Sequence, residues 1–232
     1  MLTELEAEAL LLSIKVAFFA VLWLVPIGIV LAWLLARKNF LGKSLLDSLI
    51  HLPLVLPPVV IGYLLLILMG RQGVVGKFLN DVFGISFSFS WKGAALASAV
   101  VALPLMVRAI RLSLESVDTR LEHAARTLGA SPIKVFFTIT LPLILPGIVT
   151  GTMLAFARSL GEFGATITFV SNIPGETQTI PLAMFSFIET PGAEFEAARL
   201  CAISIVVALT SLFVSELLNR KAQRQLNGSV AR

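Results

Sequence analysis

A helical protein that crosses a membrane five times is the fold class this sequence predicts, and three observations carry it. Hydrophobic residues make up 57% of the chain and charged residues only 14%, against about a quarter charged in a soluble domain. The apolar residues gather in long runs: 16–36 and 135–157 hold 21 and 23 residues without a charge, and about 20 suffice to cross ~30 Å of hydrocarbon. Lysine and arginine stand at the ends of these runs, as Lys15 and Arg37 do around the first, where long side chains reach the interface.

The expected spans are about 12–36, 48–70, 92–111, 135–160 and 197–217, within a single transmembrane domain over 1–232. The N-terminus has no basic stretch and carries Glu4, Glu6 and Glu8, so the first span is expected to be retained rather than cleaved. The second span contains Pro53, Pro57 and Pro58. Proline removes a donor and clashes with the preceding turn, so this stretch is expected to bend and to pack within protein, where the freed carbonyls can be satisfied. His51 nearby reads as a structural histidine. Residues 71–91 read as a glycine-containing loop whose SFSFSW run, 86–91, suits an interfacial position. Gly147 and Gly151 in the fourth span allow close helix approach, either within the chain or between copies. Residues 163–173 and 177–188 are too short to span alone and read as an extension of the fourth span, then re-entrant or interfacial structure.

Between the third and fourth spans lies a stretch unlike its neighbours. Asp118 suits an N-cap, and Leu121, Ala124, Ala125 and Leu128 share one helical face. Gly129 then supplies a left-handed C-terminal residue, and Ser131-Pro132 restarts the chain as N-cap and first helical position. The face is narrow and made largely of small side chains. It suits either an ordinary solvated loop helix or a surface that a partner approaches closely.

Charge sets the orientation. With 115–142 inside, the inner segments hold Arg37, Lys38, Lys43, Arg108, Arg111, Arg120, Arg126, Lys134, Arg220, Lys221, Arg224 and Arg232. The outer side holds Lys15, Arg71, Lys77, Lys92, Arg158 and Arg199. This two-to-one bias puts the N-terminus outside and the C-terminus in the cytoplasm.

Several functions are excluded. Basic residues form no stripe interleaved with aromatics, so nucleic acid is not an expected partner. Gly42-Lys43-Ser44 lacks a preceding strand and has Arg37 where a phosphate-binding loop needs its first glycine. The two histidines, one cysteine and scattered carboxylates show no metal-ligand spacing and no nucleophile–base pair. Cys201, in an apolar run, reads as a packed thiol. Arg158 and Glu162, four apart near the outer end of the fourth span, are costly at membrane depth. They read as an anion-path element, with Glu162 holding Arg158, or as a structural ion pair.

The spacing Ala124, Ala125, Gly129, Ile139, Leu141, Pro142 resembles the EAA coupling loop of ABC importer permeases, here over 115–142. The usual Glu directly before the Ala pair is His123, with Glu122 one place earlier, a shift often found in the molybdate and sulfate branch. Together with 40–70 and the run GEFGATITFVSNIPGET at 161–177, the chain resembles the membrane subunits of bacterial molybdate importers. That resemblance implies an all-α, type I ABC importer permease fold and a homodimer in the bacterial inner membrane. It implies two ATPase subunits, which bind ATP and magnesium, docked at Glu122, His123, Ala124, Ala125, Gly129, Ile139, Leu141 and Pro142. It implies a periplasmic molybdate-binding protein outside, and no cofactor or enzymatic activity on this chain. A sulfate permease of the same fold and a non-transporting scaffold are the competing readings.

Overall fold

The computed structural model describes the backbone of residues 3–230, and all of those side chains except 212, 215, 216 and 218–230. The side chains of the expected basic tail, Arg220, Lys221 and Arg224, and the whole of Arg232 therefore lie outside the described part.

Helix α1 (Glu4–Arg37) opens on a capping box: Thr3 Oγ1 accepts the Glu6 N–H and Glu6 Oε2 accepts the Thr3 N–H. The cap starts the helix well before residue 12. Ala9, Ser13, Ala17, Ala20, Leu24 and Gly28 form its buried stripe. Arg199 Nε donates to Glu6 Oε1 at 2.7 Å, tying this end to the start of the last helix.

The expected second span is two helices, α2 (Lys43–Val55) and α3 (Pro58–Met69), bent by 117°. Leu56 and Pro57 are extended, with ψ of 142° and 134°, because a residue before proline is pushed out of the helical region. The bend is as expected; the packing is so only at the elbow and along α3, where Leu56 and Ile61 join the core and Pro58 meets Gly164. Leu54 and Val55 are exposed, and Ile50 is the buried residue of α2. His51 is structural, its Nδ1 lying 2.8 Å from the Asp47 carbonyl oxygen.

Residues 71–91 are more ordered than a loop. Helix α4 (Val74–Phe83) lies between Gly73 and a left-handed Gly84, φ +65°, so these glycines punctuate a helix rather than prevent one. Ser90 then caps α5 (Trp91–Ser116), its Oγ accepting the Gly93 N–H at 3.3 Å.

Helix α5 is the most buried long helix and the axis of the molecule. Its later half packs with α1 and α8 (Leu141–Leu160) around Leu24, Leu35, Met106, Ile110, Leu114 and Ile144. Its earlier half packs with α1, α3 and α9 (Gly164–Val170) around Val16, Ile61, Val101 and Phe169. Gly147 and Gly151 belong to the seam with α5: a Cβ on Gly147 would collide with Ser113, and one on Gly151 would lie 3.1 Å from the Met106 carbonyl oxygen. The glycine pair thus serves packing within the chain.

Helix α9 is not an extension of the fourth span. Helix α8 ends at Leu160 and a new helix begins at Gly164. Helices α10 (Ile180–Glu189) and α11 (Glu194–Val230) follow, joined to α1 through Ala9, Ala183 and Leu200. Cys201 is exposed rather than packed, because Leu200 takes the buried position beside it.

Among the described residues, α1, α5 and Pro132–Leu160 are long and apolar enough to cross a membrane, and the bent α2–α3 pair makes a fourth if taken as one span.

Candidate functional site

The coupling-loop residues form two short helices and a turn. Helix α6 (Thr119–Thr127) begins at Asp118, whose Oδ1 accepts the Arg120 N–H at 2.9 Å. It ends at Gly129, φ +84°, where the Ala130 N–H reaches back to the Ala125 carbonyl at 3.1 Å and closes the last turn. Ser131 caps α7 (Pro132–Val135), its Oγ accepting the Lys134 N–H. Helix α6 has no buried residue. His123, Ala124 and Gly129 are exposed, Ala125 is half-buried, and Leu121 and Leu128 are 49% and 88% exposed. An apolar, small-residue face therefore stands uncovered at the end of the molecule.

Glu122 points the other way. Its Oε1 accepts Arg37 Nη2, from the last turn of α1, at 3.1 Å, and Thr140 Oγ1 at 3.0 Å. The same Arg37 Nη2 donates to the Val117 carbonyl, the C-cap of α5, at 3.4 Å. Arg37 and Glu122 are each about 15% exposed and Thr140 is buried.

Thr140 closes a π turn, Phe136–Thr140, between α7 and α8. Pro142 has no N–H and crowds the carbonyl four residues back. The turn opens, and the Leu141 N–H bonds five residues back to the Phe136 carbonyl. One extra residue per turn shifts the side chains around the axis and is often a functional feature. Here Thr140 is turned toward Glu122, Leu141 packs into the core beneath, Ile139 is half-buried and Pro142 is exposed.

Arg158 lies in the last turn of α8 (Leu141–Leu160), roughly 24 Å along the helix from Pro142, and Glu162 follows just past its end. Arg158 Nη1 lies 2.7 Å from Glu162 Oε2. Glu162 Oε1 accepts the Ala165 N–H at 2.8 Å, filling the first turn of α9. The Glu162 side chain is 1% exposed and that of Arg158 is 31% exposed. Gly164 fits against the α2–α3 elbow, where a Cβ would lie 2.9 Å from Pro58 Cβ. The elbow, the start of α9 and a half-exposed cation therefore meet in one place.

Residues 25–224 match the family model described as the binding-protein-dependent transport system inner membrane component. The chain belongs to this family. It is 66% identical to the molybdenum transport system permease protein ModB of Haemophilus influenzae over 228 residues, covering 98% of this chain and all of the relative. It is 68% identical to the Escherichia coli K12 protein of that name over 219 residues, 94% of this chain and 96% of the relative. Two solved transporters share its fold. A chain of a bacterial alginate ABC transporter aligns with TM-score 0.74 at 17% identity, covering 94% of this chain and 80% of that one. A chain of the MetNI methionine ABC transporter aligns with TM-score 0.66 at 15% identity, covering 94% of each.

For a member of this inner-membrane family, two features escaped sequence reasoning. The Arg37–Glu122 contact joins residues 85 apart, and no local pattern reports that. Thr140 sits at an unassigned position of the EAA-like spacing. The one local signal beside it is Pro142, which removes a helical donor just after it; Pro26, Pro104 and Pro146 lie within α-helices without such a turn, so proline alone does not give the shift.

Proposed function

We propose that this chain is the membrane-spanning subunit of an ATP-driven importer that carries molybdate, with tungstate as a cargo of the same shape, across the bacterial inner membrane. The observation that carries the reading is the identity of about two thirds to molybdenum permeases along nearly the whole of both chains. In this reading two copies form the pore, five spans cross per copy, and the N-terminus faces outside. A periplasmic binding protein delivers the oxyanion to the end bearing Arg158. A separate ATPase, which binds the nucleotide and magnesium, docks on the exposed face of α6 at the other end. The chain then performs no covalent chemistry of its own.

The geometry supports a division of labour along α8. At one end, Leu121, Ala124 and Leu128 offer an uncovered apolar face that a partner can cover. At the other, the Glu162 carboxylate is spent on Arg158 and Ala165, leaving the guanidinium with free donors toward solvent. Such donors suit a tetrahedral dianion. The α2–α3 elbow and the π turn are the two breaks about which an inward- to outward-facing change can bend.

The test is molybdenum accumulation in cells lacking their own high-affinity uptake. The gene is supplied with its ATPase and binding protein at nanomolar molybdate, with and without excess sulfate. Uptake that persists under sulfate is the expected result. Uptake abolished by modest sulfate makes the chain a sulfate permease, and no uptake with all partners assembled returns it to a scaffold.

A further inference from the structure

Among the side chains of α6, Glu122 is distinctive: its carboxylate bonds to other helical elements, whereas Asp118 caps α6 itself and Thr127 bonds back to Ala124. With no buried residue on α6, that carboxylate is a side-chain tether between the coupling helix and the membrane-embedded part, added to the backbone links at each end of α6. It holds two elements at once, the end of α1 through Arg37 and the start of the fourth span through Thr140. Above it lies an open space between α1 and the segment of α7 and the π turn. A groove of about 570 Å³ separates them, lined by Pro26, Val30 and Trp33 on one side and Ile133, Phe136 and Phe137 on the other, with Glu122 and Arg126 at its α6 end. The carboxylate bridge closes this groove where α6 meets it. Arg37 Nε is buried without a hydrogen bond among the described residues, so the guanidinium has a donor left for a second arrangement of the joint.

We infer that Glu122 is a positioning residue and not an ATPase contact. With Arg37 and Thr140 it forms a joint that makes α1 and α8 follow the coupling helix when that helix moves. The inference rests on the reading that α6 is where the ATPase docks. Charge-assisted bonds suit this task because they are strong and directional yet leave the apolar groove free to change width.

The test uses the complete transporter, this chain with its ATPase and binding protein, in proteoliposomes. Oxyanion transported per ATP hydrolysed is measured together with the amount of ATPase that co-purifies. Thr140→Val and Glu122→Gln should each lower the transport-to-hydrolysis ratio, by about tenfold, the size of one hydrogen bond to a charged group. ATPase co-purification should stay at the wild-type level. Thr140→Ser should restore the ratio, and the exchanged pair Arg37→Glu with Glu122→Arg should recover a large part of it. A merely destabilised chain lowers transport and hydrolysis together and leaves their ratio unchanged; that outcome overturns the inference. So does loss of ATPase co-purification in Glu122→Gln with Thr140→Val fully coupled, which makes Glu122 a docking contact. If the unmodified chain itself fails to retain the ATPase, the docking reading has failed instead, and the inference with it.

Discussion

Two arginine–carboxylate pairs stand at opposite ends of α8, and they are built for different work. Glu162 is sealed, its pair with Arg158 spans four residues, and its second oxygen starts α9. Glu122 is 15% exposed, its pair with Arg37 spans 85 residues, and one oxygen takes both donors. The first pair shapes the chain locally, fixing the break after Leu160. The second joins elements that the chain alone does not hold together. A local pair with a sealed carboxylate is a fixture. A half-buried pair between distant elements, beside an open groove, is a joint.

The largest effect should follow from breaking the fixture. Glu162→Ala leaves Arg158 without its partner and the first turn of α9 without its cap. Breaking a fully buried pair costs about 3–5 kcal/mol; the Arg158 left behind is 31% exposed and can turn to water, so roughly 2 kcal/mol is expected from the pair. Thermal unfolding in detergent should show it as a clear fall in midpoint. No change would mean that the pair is not structural. Arg158→Gln separates its two roles: lower apparent affinity for the oxyanion with the fold intact supports a place on the anion path, and unchanged affinity removes it from that path.

Next comes Gly129→Val. Gly129 has φ +84° and open space around it, so the cost is backbone strain of about 1–2 kcal/mol rather than a clash. Helix α6 should lose its terminus, and ATPase co-purification should fall while membrane insertion continues. Full docking and transport would show that the shape of this turn does not matter.

The effect of Thr140→Val on stability should be below that of Glu162→Ala, which also loses the α9 cap: about 1.5 kcal/mol for one hydrogen bond to a charged group. Unfolding midpoints of this variant and of Glu162→Ala, measured side by side, should differ clearly. If they match, the distinction between fixture and joint collapses.

What was legible in the sequence follows the same division. Asp118, Gly129, Ser131 and Pro132 act on their nearest neighbours, and their roles as cap, stop and restart were readable as they stand. The i,i+4 spacing disclosed Arg158 and Glu162. The double proline at 57–58 predicts the bend but not its 117° or the seating of α9 against it through Gly62 and Gly164, a contact across about a hundred residues. Helix α4 was hidden because glycine marks both loops and helix ends. The apolar run around Cys201 suggests a packed thiol, but apolar surroundings in sequence do not tell which face of a helix is covered, and Cys201 is exposed. Glu122 belongs to the motif-like stretch, yet its direction depends on a π turn that reorients Thr140, and no spacing rule includes that shift.

The most direct measurement is a crosslink. With the native Cys201 changed to serine, single cysteines are placed at Leu128, on the exposed face of α6, and at Phe83, 62% exposed at the end of α4. A short thiol-reactive crosslinker is added to the assembled transporter. The account predicts that the Leu128 position joins to the ATPase and the Phe83 position does not. Crosslinking from Phe83 with none from Leu128 would put the ATPase at the wrong end of the molecule and contradict it.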